Sequence, residues 1–364
     1  MARPQSPQGS PPVMLRCAGR ARRRGNGVTL CRTLNREQPF PARRTTRSQP
    51  AERSLLRQPA AGTRRPHTRH DRDMTHPISG CLAAAVTPLT DGGDRLDEGA
   101  FQPLTDFLAG AGMDGLLAMG TTGEGVLLTT AERTRVTERF VDAAGGRLRV
   151  VAHCGAQTTR DTAALAEHAA RAGADGVAVI GPPYFPLDDT AILEHFTAAG
   201  RACAPLPFYI YEFAARSGYA VPVRVIEELR DRLPNLAGLK VSDAPWERFA
   251  PYLIEGLSIF VGPETLIQQG MAHGAVGAVS ALATALPELV RDAVRDARPD
   301  ASERCGAARD MLQRFPFHAA LKRLLVRRGV AMTGDVRGPL RQLTGEEERA
   351  FEAVVAEVTV GMAV

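Results

Sequence analysis

Leu236-Ala237-Gly238-Leu239-Lys240-Val241 reads as a short buried strand with one amine in it. Working outward, the same kind of run recurs seven more times: Leu82–Thr87, Gly115–Met119, Arg149–His153, Gly176–Ile180, Pro207–Tyr211, Ser258–Val261 and Val276–Ser280. Most end in, or are followed directly by, Gly, Thr or Ser, and amphipathic stretches fit between them. These predict helices at Asp97–Ala111, Thr130–Ala144, Arg160–Ala172, Asp188–Cys203, Pro222–Arg232, Trp246–Ile254, Glu264–His273 and Leu286–Arg298. Continuous apolar strands alternating with helices imply a parallel sheet with crossover connections. Eight such units imply a closed (β/α)₈ TIM barrel, where five or six would favour a doubly wound sheet. Ala111-Gly112-Met113-Asp114-Gly115 and Ala172-Gly173-Ala174-Asp175-Gly176 fit a helix ending in Gly and turning tightly into the next strand. Two further helical stretches, about Ser302–Arg328 and Glu346–Val358, predict a C-terminal helical appendage.

The amine in the opening run is out of keeping with the composition. Of 45 basic residues only Lys240 and Lys322 are lysines, and the other 43 are arginines. Burial disfavours an ammonium and lowers its pKa. Arginine serves a structural ion pair as well or better, but it cannot lose a proton and attack a carbonyl. A desolvated lysine can, which is how Schiff-base enzymes activate their nucleophile. The competing reading is a lysine that snorkels from the strand end or pairs with a carboxylate. Lys322, in His318-Ala319-Ala320-Leu321-Lys322-Arg323, reads as a solvated amine at its normal pKa.

Composition divides the chain at Met74. Residues 1–73 hold 17 arginines and 4 acids, a net +13, so residues 74–364 carry −8 of the chain's +5. The first segment is rich in Arg, Pro, Gln and Ser, lacks apolar periodicity and reads as disordered. It could be a nucleic-acid-binding arm or a transit peptide, but it has no apolar core of secretory length. Met74-Thr75-His76-Pro77 leads straight into the first strand pattern, and Met74 is read as the natural start. The expected organisation is an extension at 1–73, a barrel at 74–300 and helices at 301–364. Cys17, Cys31, Cys81, Cys154, Cys203 and Cys305 show no paired spacing, so they read as thiols of a reducing, cytoplasmic compartment. No apolar run approaches the length that spans a membrane.

Barrel enzymes place their chemistry at the C-terminal ends of the strands. There the sequence offers Gly120-Thr121-Thr122-Gly123-Glu124-Gly125, whose backbone N–H groups can face an anion. It also offers Gly181-Pro182-Pro183-Tyr184-Phe185, then Tyr209 and Tyr211 on one strand face, Arg216, and finally Lys240. His153 at the end of the third strand is a lone candidate for a base or ligand. No cluster has metal-ligand spacing, no Gly-x-Ser-x-Gly turn occurs, and no cofactor is called for. A lysine among tyrosines suits carbonyl chemistry: the amine forms an imine and a phenol shuttles protons.

From about Ser79 to the C-terminus the chain resembles the pyruvate-dependent class I aldolase family that includes dihydrodipicolinate synthase and N-acetylneuraminate lyase. The resemblance rests on Val86-Thr87-Pro88, Gly120-Thr121-Thr122-Gly123-Glu124, Pro182-Pro183-Tyr184, Tyr211 with Arg216 and Gly218, Gly238-Leu239-Lys240, and Arg337-Gly338-Pro339-Leu340 with Leu343-Thr344. It implies that Lys240 forms the pyruvate Schiff base and that Tyr211 is the proton-transfer phenol. Thr121 would link Tyr211 to Tyr184, the latter reaching in from a neighbouring subunit of a homodimer or homotetramer. The backbone of Thr121 and Thr122 would hold the pyruvate carboxylate, Val279 would line the pocket through its carbonyl, and Arg216 would bind a carboxylate on the second substrate. Two departures bear on that second substrate. The family's usual Tyr-Asn-x-Pro is here Tyr211-Glu212-Phe213-Ala214, and Val241-Ser242-Asp243-Ala244 follows the lysine. An inward-pointing Glu212 would argue against a dianionic acceptor and for a hydroxylated one. The expected activity is a lyase joining or splitting pyruvate, or another 2-oxo acid, and an aldehyde, of the 2-oxo sugar-acid aldolase type. The alternatives are 4-hydroxy-tetrahydrodipicolinate synthase, a deoxy sugar-acid dehydratase, and a non-catalytic keto-acid-binding barrel. Nucleic acid is not an expected partner of the barrel.

Overall fold

The computed structural model describes residues 77–360, so the extension expected at residues 1–73 lies outside the described residues. Eight parallel strands close into a ring: β1 (Gly80–Ala84), β4 (Gly115–Ala118), β5 (Arg149–His153), β6 (Gly176–Ile180), β7 (Phe208–Glu212), β8 (Leu236–Val241), β9 (Ser258–Val261) and β10 (Gly277–Ser280), with β10 pairing back onto β1. This is the (β/α)₈ barrel, and every strand of it is one of the apolar runs, displaced by two residues or fewer at its start. An antiparallel pair that the patterning does not show, β2 (Leu89–Thr90) and β3 (Arg95–Leu96), follows β1.

Period-two alternation splits the strands into two sets of side chains. Leu82, Ala84, Leu117, Val151, Ala178, Tyr209, Phe260 and Val279 fill the barrel interior, while the alternate residues join the larger core between strands and helices. Close strand approach requires glycine at one point beside the site. A Cβ on Gly238 would lie 1.9 Å from the Ser258 carbonyl oxygen, so β8 and β9 can meet there only without a side chain.

Three of the early helices start where a side chain satisfies a first free N–H group. α1 (Phe101–Gly110) precedes β4; α2 (Thr130–Ala144) opens on a reciprocal capping box between Thr129 and Glu132. α3 (Thr159–Ala172) and α4 (Asp189–Cys203) are capped by Thr158 and Asp188. Then come α5 (Ala214–Ser217), α6 (Val223–Arg232), α7 (Trp246–Phe249), α8 (Ile267–Ala272) and α9 (Pro287–Val294). α7 and α8 are shorter than the pattern predicts, because Pro251 interrupts the first and a 3-10 turn occupies Glu264–Leu266 before the second; α9 opens on Pro287 as expected but stops at Val294, ahead of Asp296 at φ +50°. The stretch expected as one helix from Ser302 to Arg328 is two, α10 (Ala301–Gln313) and α11 (Phe317–Arg327), parted at Pro316, whose ring nitrogen cannot continue the hydrogen-bond ladder. α12 (Gly345–Val360) follows. Cys81, Cys154, Cys203 and Cys305 are buried free thiols, and burial pushes the pKa of the last three up to about 12. Among the described residues no helix is long and apolar enough to cross a membrane.

Candidate active site

The C-terminal ends of the strands enclose a cavity of about 300 Å³. Its floor is laid by register. Tyr211 on β7 pairs directly with Lys240 on β8, and inward pointing alternates along both strands, so phenol and amine emerge side by side. Lys240 Nζ lies 3.8 Å from the centroid of the Tyr211 ring and donates to Ser242 Oγ, two residues along the same strand face. The Tyr211 hydroxyl meets Thr121 Oγ1 at 3.2 Å. Burial pushes the Tyr211 pKa up, but the Lys240 charge and hydrogen bonds from Lys240, Thr121 and Ser242 more than offset it, so the net shift is downward. Lys240 and Tyr211 are 7 % and 3 % exposed, so the amine and phenol face each other with little water between.

Thr121 and Thr122 line the cavity from the loop after β4, and Val279 lines it from β10. The loop is held from behind. His318 on α11 donates through Nε2 to the Thr121 carbonyl at 3.0 Å, and Thr87 Oγ1 donates to the Gly123 carbonyl at 2.6 Å. The wall is made by Phe213 and Arg216 of the α5 segment, by Arg309 and Asp310 of α10, and by Phe317 and His318 of α11. Arg216 lies over the Phe213 ring at 5.6 Å, and that ring in turn stacks on Tyr211 at 6.2 Å. Arg309 pairs with buried Glu264 at 3.1 Å, which also accepts from Ser280 Oγ at 2.7 Å.

Of the residues expected here, Lys240, Tyr211, Thr121, Thr122, Arg216 and Val279 share the cavity. Tyr184 does not join them within one chain. It is 85 % exposed at φ +89°, edge-on to Phe185, which is 69 % exposed. Glu212 points away from the cavity: its Oε2 accepts from the Val221 backbone at 3.0 Å, and burial followed by the Asp243 charge raises its pKa to about 8. It therefore says nothing about the acceptor, as the two-residue strand period that puts Tyr211 inward already implies. His153 is a buried neutral strap. Nδ1 donates to the Met119 carbonyl at 3.0 Å, and burial lowers its pKa to about 3. Lys322 corrects the sequence reading outright. It is not solvated but fully buried, 2.6 Å from Glu124 Oε1, and burial lowers its pKa against the pull of that carboxylate. The wide buried face of α11, which includes Ala319, Leu321 and Leu325, carries it inward.

Residues that the sequence did not single out are Phe213, Glu264, Arg309, Asp310, Phe317 and His318. Ser242 was legible, being two residues beyond Lys240 on one strand face. His318 and Arg309 were not, since nothing local ties the one to Thr121, 197 positions earlier, or the other to Glu264, 45 positions earlier.

Comparison with known proteins agrees with this geometry. Residues 77–358 match the model of the dihydrodipicolinate synthetase family. The chain is 36% identical over 290 residues to an uncharacterized DapA-like lyase of Halobacterium salinarum, covering 77% of this chain and 94% of that protein. It is 33% identical over 220 residues to the 4-hydroxy-tetrahydrodipicolinate synthase of Rhizobium meliloti, covering 59% of this chain and 74% of that one. Among solved structures, Proteus mirabilis N-acetylneuraminate lyase superposes with a TM-score of 0.71 at 28% identity, over 78% of this chain and 99% of its own. An amine beside a phenol at the mouth of an eight-stranded barrel, within a match that spans nearly all the described residues, places this chain in the dihydrodipicolinate synthetase family of pyruvate-dependent aldolases and lyases.

Proposed function

We propose that the enzyme makes or breaks a carbon–carbon bond through an imine between Lys240 and pyruvate or a related 2-oxo acid. The observation that carries this is the contact of Lys240 Nζ with Tyr211, itself bonded to Thr121, at the floor of one small cavity. The Lys240 amine adds to C2 of pyruvate, and the carbinolamine loses water to give an iminium. Tyr211, with its pKa drawn down, takes a proton from the adding amine and returns one to the departing hydroxyl. Loss of a C3 proton to the Tyr211 oxygen yields the enamine, whose carbon adds to an aldehyde while the phenol returns that proton to the new alkoxide. Water then releases the product and the amine. Backbone N–H groups of Thr121 and Thr122 hold the pyruvate carboxylate, and Val279 lines the floor. No metal or cofactor takes part.

The acceptor meets the wall, where Arg216 would pair with a carboxylate. We favour a 2-oxo sugar-acid aldolase. Retention of Arg216 supports the second reading, 4-hydroxy-tetrahydrodipicolinate synthase, in which the acceptor is aspartate semialdehyde. Tyr184 completes the relay from a second copy in a homodimer or homotetramer. Exposed Val126, Tyr184 and Phe185 support an apolar contact. An opening of about 680 Å³ that shares Thr121 and Tyr211 with the cavity, and is lined by Val126 and Pro183, supports entry from that side. We place the enzyme in the cytoplasm, in keeping with its free buried thiols. The barrel proper is assigned to residues 74–300 and the helices to 301–364. Removing residues 1–73 should leave thermal stability and activity unchanged, measured by thermal denaturation and the exchange assay below.

Two acceptor-free measurements test the core reading. Incubation with pyruvate and borohydride should fix one reduced pyruvate on Lys240, mapped by mass spectrometry. In D₂O the enzyme should exchange the methyl protons of pyruvate, followed by NMR. A label on Lys322, or none at all, would overturn the imine. A screen of aldehydes with pyruvate, read by mass spectrometry, then identifies the acceptor.

A further inference from the structure

Lys240 accounts for one of the chain's two lysines, and the second is as anomalous as the first. Lys322 is 0 % exposed, and its ammonium stands 2.6 Å from Glu124 Oε1 while donating to the Asp335 carbonyl at 2.6 Å. Glu124 uses its other oxygen to accept from the Arg337 backbone at 2.7 Å. The slot presents one carboxylate oxygen and one carbonyl, which suits a compact ammonium and would strand the planar five-donor fork of arginine. A buried ion pair is a poor source of stability, because desolvating both charges costs about as much as their attraction returns. Its presence in so deep a place points to geometry.

What it holds is the loop of the active site. Glu124 ends the Thr121-Thr122-Gly123-Glu124 turn, at φ +57°, a left-handed conformation that a glutamate adopts only when its surroundings impose it. Lys322 lies one helical turn after His318 on α11, so both face the loop. His318 takes the Thr121 carbonyl and Lys322 takes the Glu124 carboxylate. One helix thus grips both ends of the segment whose Thr121 hydroxyl meets Tyr211. We propose that the Lys322–Glu124 pair is a positioning element of the reaction: it sets the Thr121–Thr122 loop against Tyr211 and couples the 335–337 segment to proton transfer at Lys240. This rests on the imine reading of Lys240.

Replacing both partners by apolar residues of similar size, in Glu124→Leu/Lys322→Met, removes the pair without leaving a lone buried charge. Such replacements are often neutral for stability. The double variant should fold with near wild-type Tm and still take one borohydride-trapped pyruvate on Lys240. Its pyruvate methyl exchange in D₂O should fall roughly 10–100-fold, as expected of a misplaced proton-transfer group. The pH profile of that exchange should also shift, since Tyr211 loses the fixed Thr121 partner. A folded double variant with wild-type exchange rate and pH profile would overturn the proposal. Should it not fold, Glu124→Gln is read on the same outcomes, and failure of both to fold would make the pair a requirement of folding and equally overturn it. Absence of the label in the wild-type enzyme is a separate failure, that of the imine reading.

Discussion

The floor of the cavity and its wall are built by different means. Lys240, Tyr211 and Val279 leave the barrel on hydrogen-bonded strands, so each side chain is placed by a ladder that the whole core holds. Arg216 stands on a four-residue helix, and Arg309, Asp310, Phe317 and His318 come from helices beyond the eighth unit. The floor cannot move without unzipping a sheet, whereas the wall can be rebuilt by changing a loop or a helix end. Binding loops on a rigid scaffold follow this division generally. On the proposed reading the imine chemistry belongs to the floor and the choice of acceptor to the wall.

The hardest test of that contrast is Lys240→Arg. Arginine keeps the charge and the strand but cannot form an imine, so the variant should fold with an unchanged circular dichroism spectrum. Its pyruvate exchange should drop to the uncatalysed rate. Surviving exchange would remove the floor from the mechanism. Tyr211→Phe comes next. It keeps the ring that faces the amine and removes the hydroxyl that meets Thr121, so exchange should fall by roughly 10²–10⁴. Borohydride labelling of Lys240 should persist, more slowly. A full exchange rate would show that the phenol packs and does not shuttle.

Arg216→Ala probes the wall. Loss of a charged hydrogen bond to the acceptor should weaken the acceptor's KM by about 1.5–3 kcal/mol, while pyruvate exchange stays near wild type. If pyruvate and acceptor weaken together, Arg216 braces the site and the two halves are not independent. The smallest effect concerns what anchors the wall. Glu212 and Asp243 accept from Val221 and Ala214, the two ends of the segment that carries Arg216. In the fold Glu212 keeps its proton up to about pH 8, whereas the unfolded chain releases it near 4.5. Its contribution to stability is therefore complete below the unfolded value and is lost as pH rises through about 8. Glu212→Gln cannot ionise, so its Tm should decline less than wild type across that window, by a few °C. Parallel Tm curves would show that Glu212 does not titrate between the two values.

Eight apolar runs were enough to number the strands, because a strand buried on both faces must be apolar along its length, and that shows without any partner. Lys240 was legible for the same reason inverted: an amine in such a run violates the pattern. Tyr211 and Thr121 were legible as the polar residues at which runs stop. Lys322 was misread because the same composition, an amine on a helix among arginines, describes an exposed face and a buried pair equally well. Its partner, Glu124, is 198 positions away in the chain. The side that Glu212 takes follows from the strand period of two, which turns it away from the face of Tyr211.

Local order along this chain determined the barrel, the strand ends and the amine among tyrosines, since periodicity and burial act over a few residues. Only the tertiary structure decided which polar groups meet: the charges of Lys322 and Glu124 and of Arg309 and Glu264, and His318 with the Thr121 carbonyl. Those pairings join α10 and α11 to loops far earlier in the chain. The reason is physical. A strand's burial is written in its own unbroken apolar run, but a charge finds its counterpart through the closure of the whole ring, and no local pattern records that.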